Sequence, residues 1–219
     1  MSARREEREV LFTGVGGQGV QICSRTLATA ATDEGRYAML SARYAGGMRG
    51  GMTNAEVTVG MGPLRALPVA SSAWSAFVMS AEHWETIRPR LRPSAVIVFN
   101  SSLMEAPGGV VDPRPFGVPA SDMAAELGNP MTAAFVLLGG FAALTGIVTI
   151  AGLVAAMRRL IPAYRTEHVA ANEVAIVAGA DAVPELAAPA WSASAASGSS
   201  SGLSSGLSSS PADASAGPS

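Results

Sequence analysis

"EVLFTGVGGQGVQICSRTLATAATDEG" (residues 9–35) changes structural period partway along its length. Glu9 to Gly16 is a short apolar and β-branched run closed by glycines, the pattern of a buried strand. From Val20 the apolar residues recur at helical spacing (Val20, Cys23, Leu27, Ala30, Ala31), and Gly35 ends the run. Between the two, Gly14, Gly16 and Gly19 satisfy G-x-G-x-x-G. Strand, glycine turn and helix in that order predict the opening unit of an α/β fold. The turn itself has three readings. It is a tight connection with no ligand, a phosphate or carboxylate site at a helix N-terminus, or part of a dinucleotide site. The third reading wants an acid at the end of the second strand. That neighbourhood is "SARYAGG" (41–47), with Ser41 and Arg43, and Asp33 and Glu34 come before the strand.

Outward from this unit the alternation continues. "YAMLSARY" (37–44), "AEVTVG" (55–60), "SAFVMS" (75–80) and "AVIVFN" (95–100) read as strands, with a helical stretch around Glu82 to Arg90. Ser121 to Leu127 reads as a short helix capped by Ser121, and "NEVAIVAGADAV" (172–183) as a closing helix. Met131 to Met157 carries no charge over 27 residues, long enough to cross a bilayer. Alanine, glycine and threonine dominate it, and Gly146 offers a helix stop with Thr149 as a new N-cap. It is read as two buried helices and not as a membrane span. The expected architecture is α/β and Rossmann-like, a mainly parallel central sheet flanked by helices. Residues 1–8 are expected to be a flexible N-terminus, 9–184 one domain, and 185–219, rich in Ser, Ala and Gly, a disordered tail.

Composition narrows the chemistry. A net charge of −2 gives no basic face for nucleic acid. All 15 basic residues are arginine, so no lysine Schiff base and no Walker A lysine can form. The single cysteine, Cys23, makes no internal disulfide, zinc knuckle or four-cysteine iron–sulfur site. Near a helix start its thiol pKa can fall, but a small core residue is the better reading. The N-terminus, "MSARREERE", is charged and has no signal-peptide core, and a cytoplasmic setting is expected. His83 and His168 stand in no metal or triad pattern and are read as surface or packing residues.

"ARYAGGMRGGMTNAEV" (42–57) holds four glycines in sixteen residues, one Gly-Gly pair on either side of Arg49. A guanidinium offers a rigid fork for a carboxylate or phosphate, and glycines let a ligand or another chain approach the backbone. An arginine pinning its own loop is the alternative. Met48 and Met52 flank it as candidate contact residues. Asn100 and Ser101 follow a strand at the carboxyl edge of the sheet, where α/β ligands sit; a turn and helix cap is the competing reading.

Several short pieces together resemble the gamma subunit of 2-oxoacid:ferredoxin oxidoreductases, the pyruvate, 2-oxoglutarate and ketoisovalerate type. These are "GVGGQGV" (14–20), "MRGGMTNAEV" (48–57), "VFNSSL" (98–103), "ELGNP" (126–130), "LLGGFAALTGIV" (137–148) and the late Asn172…Gly179 element. The resemblance runs from about Val10 to Ala182. One departure stands out: the family often has Tyr-Gly-Pro-Glu before Met-Arg-Gly-Gly, and this chain has Tyr44-Ala45-Gly46-Gly47. The resemblance implies a subunit with no catalytic residue of its own, inactive alone. Thiamine diphosphate, Mg2+ and [4Fe-4S] clusters would sit in partner alpha and beta subunits and a ferredoxin-type subunit or acceptor, with coenzyme A as co-substrate. Gly16, Gly17, Gln18, Gly19, Arg49, Gly50, Gly51, Asn100 and Ser101 would be the anion, coenzyme A or subunit contacts. The alternatives are a free-standing nucleotide-binding oxidoreductase, resting on G-x-G-x-x-G, and a non-enzymatic binding or scaffold relative.

Overall fold

The computed structural model describes residues 6–44, 51–64, 72–106, 114–162 and 166–191. The opening unit forms as the sequence predicts. Strand β1 (Glu7–Val15) runs into a glycine turn, and helix α1 (Val20–Asp33) follows. The strands β2 (Tyr37–Tyr44) and β3 (Met52–Gly60) pair with each other antiparallel, and β3 pairs antiparallel with β1. On the other side of β1 lie β4 (Ala73–Val78), β5 (Leu91–Asn100) and β6 (Arg114–Val118), all parallel to it. The sheet order is β2-β3-β1-β4-β5-β6. Five of these six strands run one way and only β3 opposes them, so the sheet is mixed and mainly parallel.

The sequence did not signal β6. Its five residues, "RPFGV", carry a proline and a glycine, both unusual in a strand interior. An edge position tolerates Pro115, which has no N–H to give. Gly117 suits the crowding there, since a Cβ would stand 3.0 Å from the Phe99 ring and 3.1 Å from Ser101, close enough that a neighbour would have to shift.

The two faces of the sheet are covered unequally. Val10, Phe12, Phe77 and Val98 face a large core shared with α1 and with α3 (Ala120–Glu126), α4 (Ala133–Thr145), α5 (Ile150–Leu160) and α6 (Glu167–Asp181). Leu11, Ala76, Val78, Ile97 and Phe99 face the other way, onto Trp84 and Ile87 of the single-turn helix α2 (Trp84–Ile87), which 3-10 turns flank on both sides.

Every residue of α4 is buried, which is why the uncharged run needs no polar face. The run breaks where expected. Gly146 ends α4 in the left-handed region (φ 57°), and the Thr149 hydroxyl accepts the Gly152 N–H to start α5. Among the described residues no helix is long and apolar enough to cross a membrane. At Gly139 and Gly179 the helices α4 and α6 cross so closely that a Cβ on either would overlap the other helix's main chain, at Ile176 or Val136.

Four sequence expectations need correction, the first at the N-terminus expected to be flexible over residues 1–8, where Glu7 and Arg8 already pair with Gly60 and Val59 in β1. The short helix α3 is not capped by Ser121. Pro119 occupies the cap position, and Asn100 holds the Ser121 main chain instead. The closing helix starts at Glu167, not Asn172, because its first turn is exposed and polar, with Glu167 and His168, and shows no apolar periodicity. The boundary at Pro184 also falls too early. Leu186, Ala188 and Ala190 donate their N–H groups to the carbonyls of Ala143, Leu144 and Thr145, the last turn of α4. A helix end leaves those carbonyls without partners, and this strap supplies them. Trp191 then lies between two guanidinium groups, 5.6 Å from Arg8 and 5.2 Å from Arg36, and donates its indole N–H to Ile147 O (3.3 Å). Residues 1–5 and 192–219 lie outside the described residues.

Candidate functional site

The glycine turn folds on itself. Gly17 (φ 102°) and Gly19 (φ 82°) take left-handed backbone that other residues rarely adopt. Gln18 bends back over Gly14, and its Oε1 accepts the Val15 N–H (2.9 Å). Gly14 has to be bare for this, since a Cβ would stand 2.7 Å from that oxygen and 2.8 Å from Val20. Gly19 has to be bare because Ala134 at the start of α4 would lie 2.9 Å from its Cβ. Gln18 is thus engaged inside the turn, and the exposed main chain of Gly16 and Gly17 remains.

The structure brings the two glycine-rich stretches together. Gly16 N–H donates to Gly51 O (2.9 Å), and Val15 pairs with Met52. The chain therefore enters β3 directly beside the turn that leaves β1. Met48, Arg49 and Gly50 precede that entry and lie outside the described residues.

Beneath this junction is a polar cluster that the sequence reading missed. The buried Thr13 hydroxyl donates to Asn54 Oδ1 (2.8 Å), and Gln21 Nε2 donates to the Asn54 main-chain oxygen (3.2 Å). The signal was available: Thr13, Gln21 and Asn54 are polar residues at inward positions of a strand, a helix and a strand. Two residues further along β3, Glu56 is buried against Arg90 at 2.7 Å on the opposite sheet face from α4.

Asn100 and Ser101 share the carboxyl edge with the glycine turn but stand two strands from it, across β4, roughly 10 Å by normal strand spacing. Asn100 is fully buried. Its Nδ2 donates to Ser121 Oγ (2.8 Å), and its Oδ1 accepts the N–H groups of Ser102 and Ser121 (both 3.3 Å). That geometry locks the β5 turn to the start of α3. Ser101 is exposed, with its N–H on Val118 O (2.9 Å), and borders an open cavity of about 580 Å³ with Phe99, Ser102 and Met104.

The dinucleotide arrangement has no acid where it needs one. On the β2 side of β1 the neighbour is β3, which runs antiparallel and starts at this edge with Met52 and Thr53, just after Gly51. Asp33 and Glu34 end α1, at the opposite edge of the sheet. Asp33 pairs with Arg159 (2.7 Å), and Glu34 with Arg36 (2.6 Å) and the Thr149 hydroxyl (2.7 Å). Cys23 is wholly buried, and desolvation pushes its thiol pKa up, so it faces the core and no ligand. His168 is exposed beside Glu167 (3.6 Å). His83 is part-buried on the turn after β4. Among the described residues no three His, Cys, Asp or Glu side chains gather as metal ligands.

Comparison with known proteins gives this edge its setting. Residues 9–182 match the pyruvate ferredoxin/flavodoxin oxidoreductase family. The chain is 30% identical over 138 residues to the ketoisovalerate oxidoreductase subunit VorA of Methanothermobacter thermautotrophicus, covering 63% of this chain and 28% of that subunit. The chain thus spans under a third of that curated relative. Among solved structures it is similar to the gamma subunit of a keto/oxoacid ferredoxin oxidoreductase from Geobacter sulfurreducens. That similarity has a TM-score of 0.68 at 26% identity, over 80% of this chain and 95% of that one. The fold is also that of the Thermotoga maritima pyruvate oxidoreductase subunit PORC (TM-score 0.65, 22% identity, 81% and 97% covered). It recurs in the 2-oxoglutarate:ferredoxin oxidoreductase of Magnetococcus marinus, solved with 2-oxoglutarate, coenzyme A and succinyl-CoA bound (0.71, 18%). There it covers 82% of this chain but 32% of the longer one. With four-fifths of its length matched, the chain belongs to the pyruvate ferredoxin/flavodoxin oxidoreductase family.

Proposed function

We propose that the chain is the gamma-type subunit of a multi-subunit, cytoplasmic 2-oxoacid:ferredoxin oxidoreductase. One observation supports the reading: the chain covers nearly all of a solved gamma subunit of a keto/oxoacid ferredoxin oxidoreductase. It is one part of a larger machine. The overall reaction takes a 2-oxoacid, coenzyme A and two oxidised one-electron carriers. It yields an acyl-CoA, carbon dioxide, two reduced carriers and a proton. Thiamine diphosphate with Mg2+ and the [4Fe-4S] clusters, held by alpha, beta and ferredoxin-type partners, would supply the bond cleavage and electron transfer.

The contribution of this chain is contact and positioning. The bare main chain at Gly16 and Gly17 and the entry to β3 at Gly51 form one exposed ledge. Such a ledge suits close approach by a phosphate, a carboxylate or another subunit's backbone. Arg49 and Gly50 adjoin it in sequence and would add the guanidinium fork. Ser101 would border the same edge from β5, while Asn100 holds that turn in place.

Co-expression with the thiamine-diphosphate-binding subunits, followed by isolation through a tag on this chain, tests the reading. A stoichiometric complex is expected. Recovery of this chain alone, from cells that hold soluble partners, would refute it.

A further inference from the structure

The "ELGNP" segment (126–130) has no place in the glycine-turn site, yet the structure builds it with care. Gly128 takes φ 78°, and Asn129 Oδ1 accepts the Met131 N–H (3.2 Å). Asn129 O accepts both the N–H (3.0 Å) and the hydroxyl (2.8 Å) of Thr132. The result is a fixed turn between α3 and α4 that holds apolar side chains in solvent: Leu127 is 42% exposed and Met131 79%. At the other end of α3, Leu103 is 51% exposed on the turn that Ser102 ties to Asp122 N–H (3.1 Å). A rigid turn gains nothing in its own fold from a methionine placed this far out.

The charged side chains in the segments that carry these residues are of one sign. Glu105, Asp122 and Glu126 are exposed, and none is in an ion pair among the described residues. Residues 101–106 and 119–135 contain no arginine, and the chain has no lysine. A second copy docking here by two-fold symmetry would set these carboxylates against themselves. A nucleic acid or an anionic membrane would be repelled in the same way.

We infer that the α3 shoulder, with Leu103, Leu127 and Met131 at its centre and Glu105, Asp122 and Glu126 at its rim, is the docking surface for a partner protein whose apolar sockets are rimmed by Lys or Arg. The inference rests on the subunit reading and adds to it the face that docks and the charge of the partner. Exposed methionine and leucine enter partner pockets, and rim charges of opposite sign orient the encounter and raise its rate.

The test is the affinity of the full chain for its purified thiamine-diphosphate-binding partner subunits. Leu127→Glu with Met131→Glu should weaken binding about tenfold or more. Glu105→Arg with Glu126→Arg should weaken it and flatten its salt dependence between about 50 and about 500 mM. Val174→Glu, on the outer face of α6, should leave it unchanged. The melting temperature of each isolated variant should match that of the original chain, which separates docking from folding. If the original chain binds and both shoulder variants bind as well as it does, the shoulder is not the docking surface and the subunit reading stands. If the original chain does not bind its partners at all, the inference and the subunit reading fall together.

Discussion

Cys23 and Arg49 stand at opposite ends of what a single residue can reveal. The Cys23 thiol is sealed under α1, and burial raises its pKa by penalising the thiolate. Native protein should therefore react slowly with a disulfide reagent near neutral pH and completely once unfolded. The linkage has a sign. A thiol whose folded pKa lies above its unfolded value, about 8.5, favours the fold fully below that pH. That contribution is lost as pH rises beyond it. The melting temperature should fall between neutral pH and about pH 10, and Cys23→Ala should remove part of that fall. Fast labelling of the native thiol would contradict its placement in the core. Arg49 is the candidate for a charge-assisted contact. Arg49→Ala should cost the assembled enzyme roughly 1.5–3 kcal/mol, about ten- to a hundredfold in kcat/KM, with Arg49→Lys recovering only part. A raised KM in an intact complex would point to coenzyme A or substrate, and loss of co-purification to a subunit contact. A less stable isolated chain would show instead that Arg49 pins its own loop.

At the scale of elements, the segment after Pro184 belongs to the fold. Its alternate N–H groups complete the last turn of α4, and Trp191 is clamped by Arg8 and Arg36. A chain ending at Trp191 should melt with the full-length protein. A chain ending at Pro184 leaves the carbonyls of Ala143, Leu144 and Thr145 without partners and should lose roughly 3–5 kcal/mol, about 10 °C in melting temperature. Equal melting of all three would mean the strap contributes nothing. This element was hard to read because "PELAAPAW" has the composition of a tail, and its bonds run to residues some forty positions away. The same reason hid β6, whose Pro115 and Gly117 are acceptable only at an edge against Phe99. Elements whose periodicity is set locally were legible. The β1–turn–α1 unit and the Gly146 and Thr149 break read directly from glycine, threonine and apolar spacing.

Across the whole molecule, short motifs announced the family, while the geometry of the edge needed the fold. Gly16 and Gly51 are thirty-five positions apart, and only the β1–β3 register makes them neighbours. Asn100 was a candidate ligand residue because of its place at a strand end, and its side chain proves to be spent on Ser102 and Ser121. Nothing in the local sequence distinguishes those two uses of an asparagine. The family and the match to a solved gamma subunit support one proposal: this chain works as part of a larger oxidoreductase. The measurement that tests it most directly is coenzyme A-dependent oxidation of a 2-oxoacid with a low-potential acceptor, assayed on this chain alone, on its partner subunits alone and on the two recombined. The account predicts turnover only in the recombined sample. Turnover by this chain alone, or partner subunits that reach full activity without it, would contradict the account.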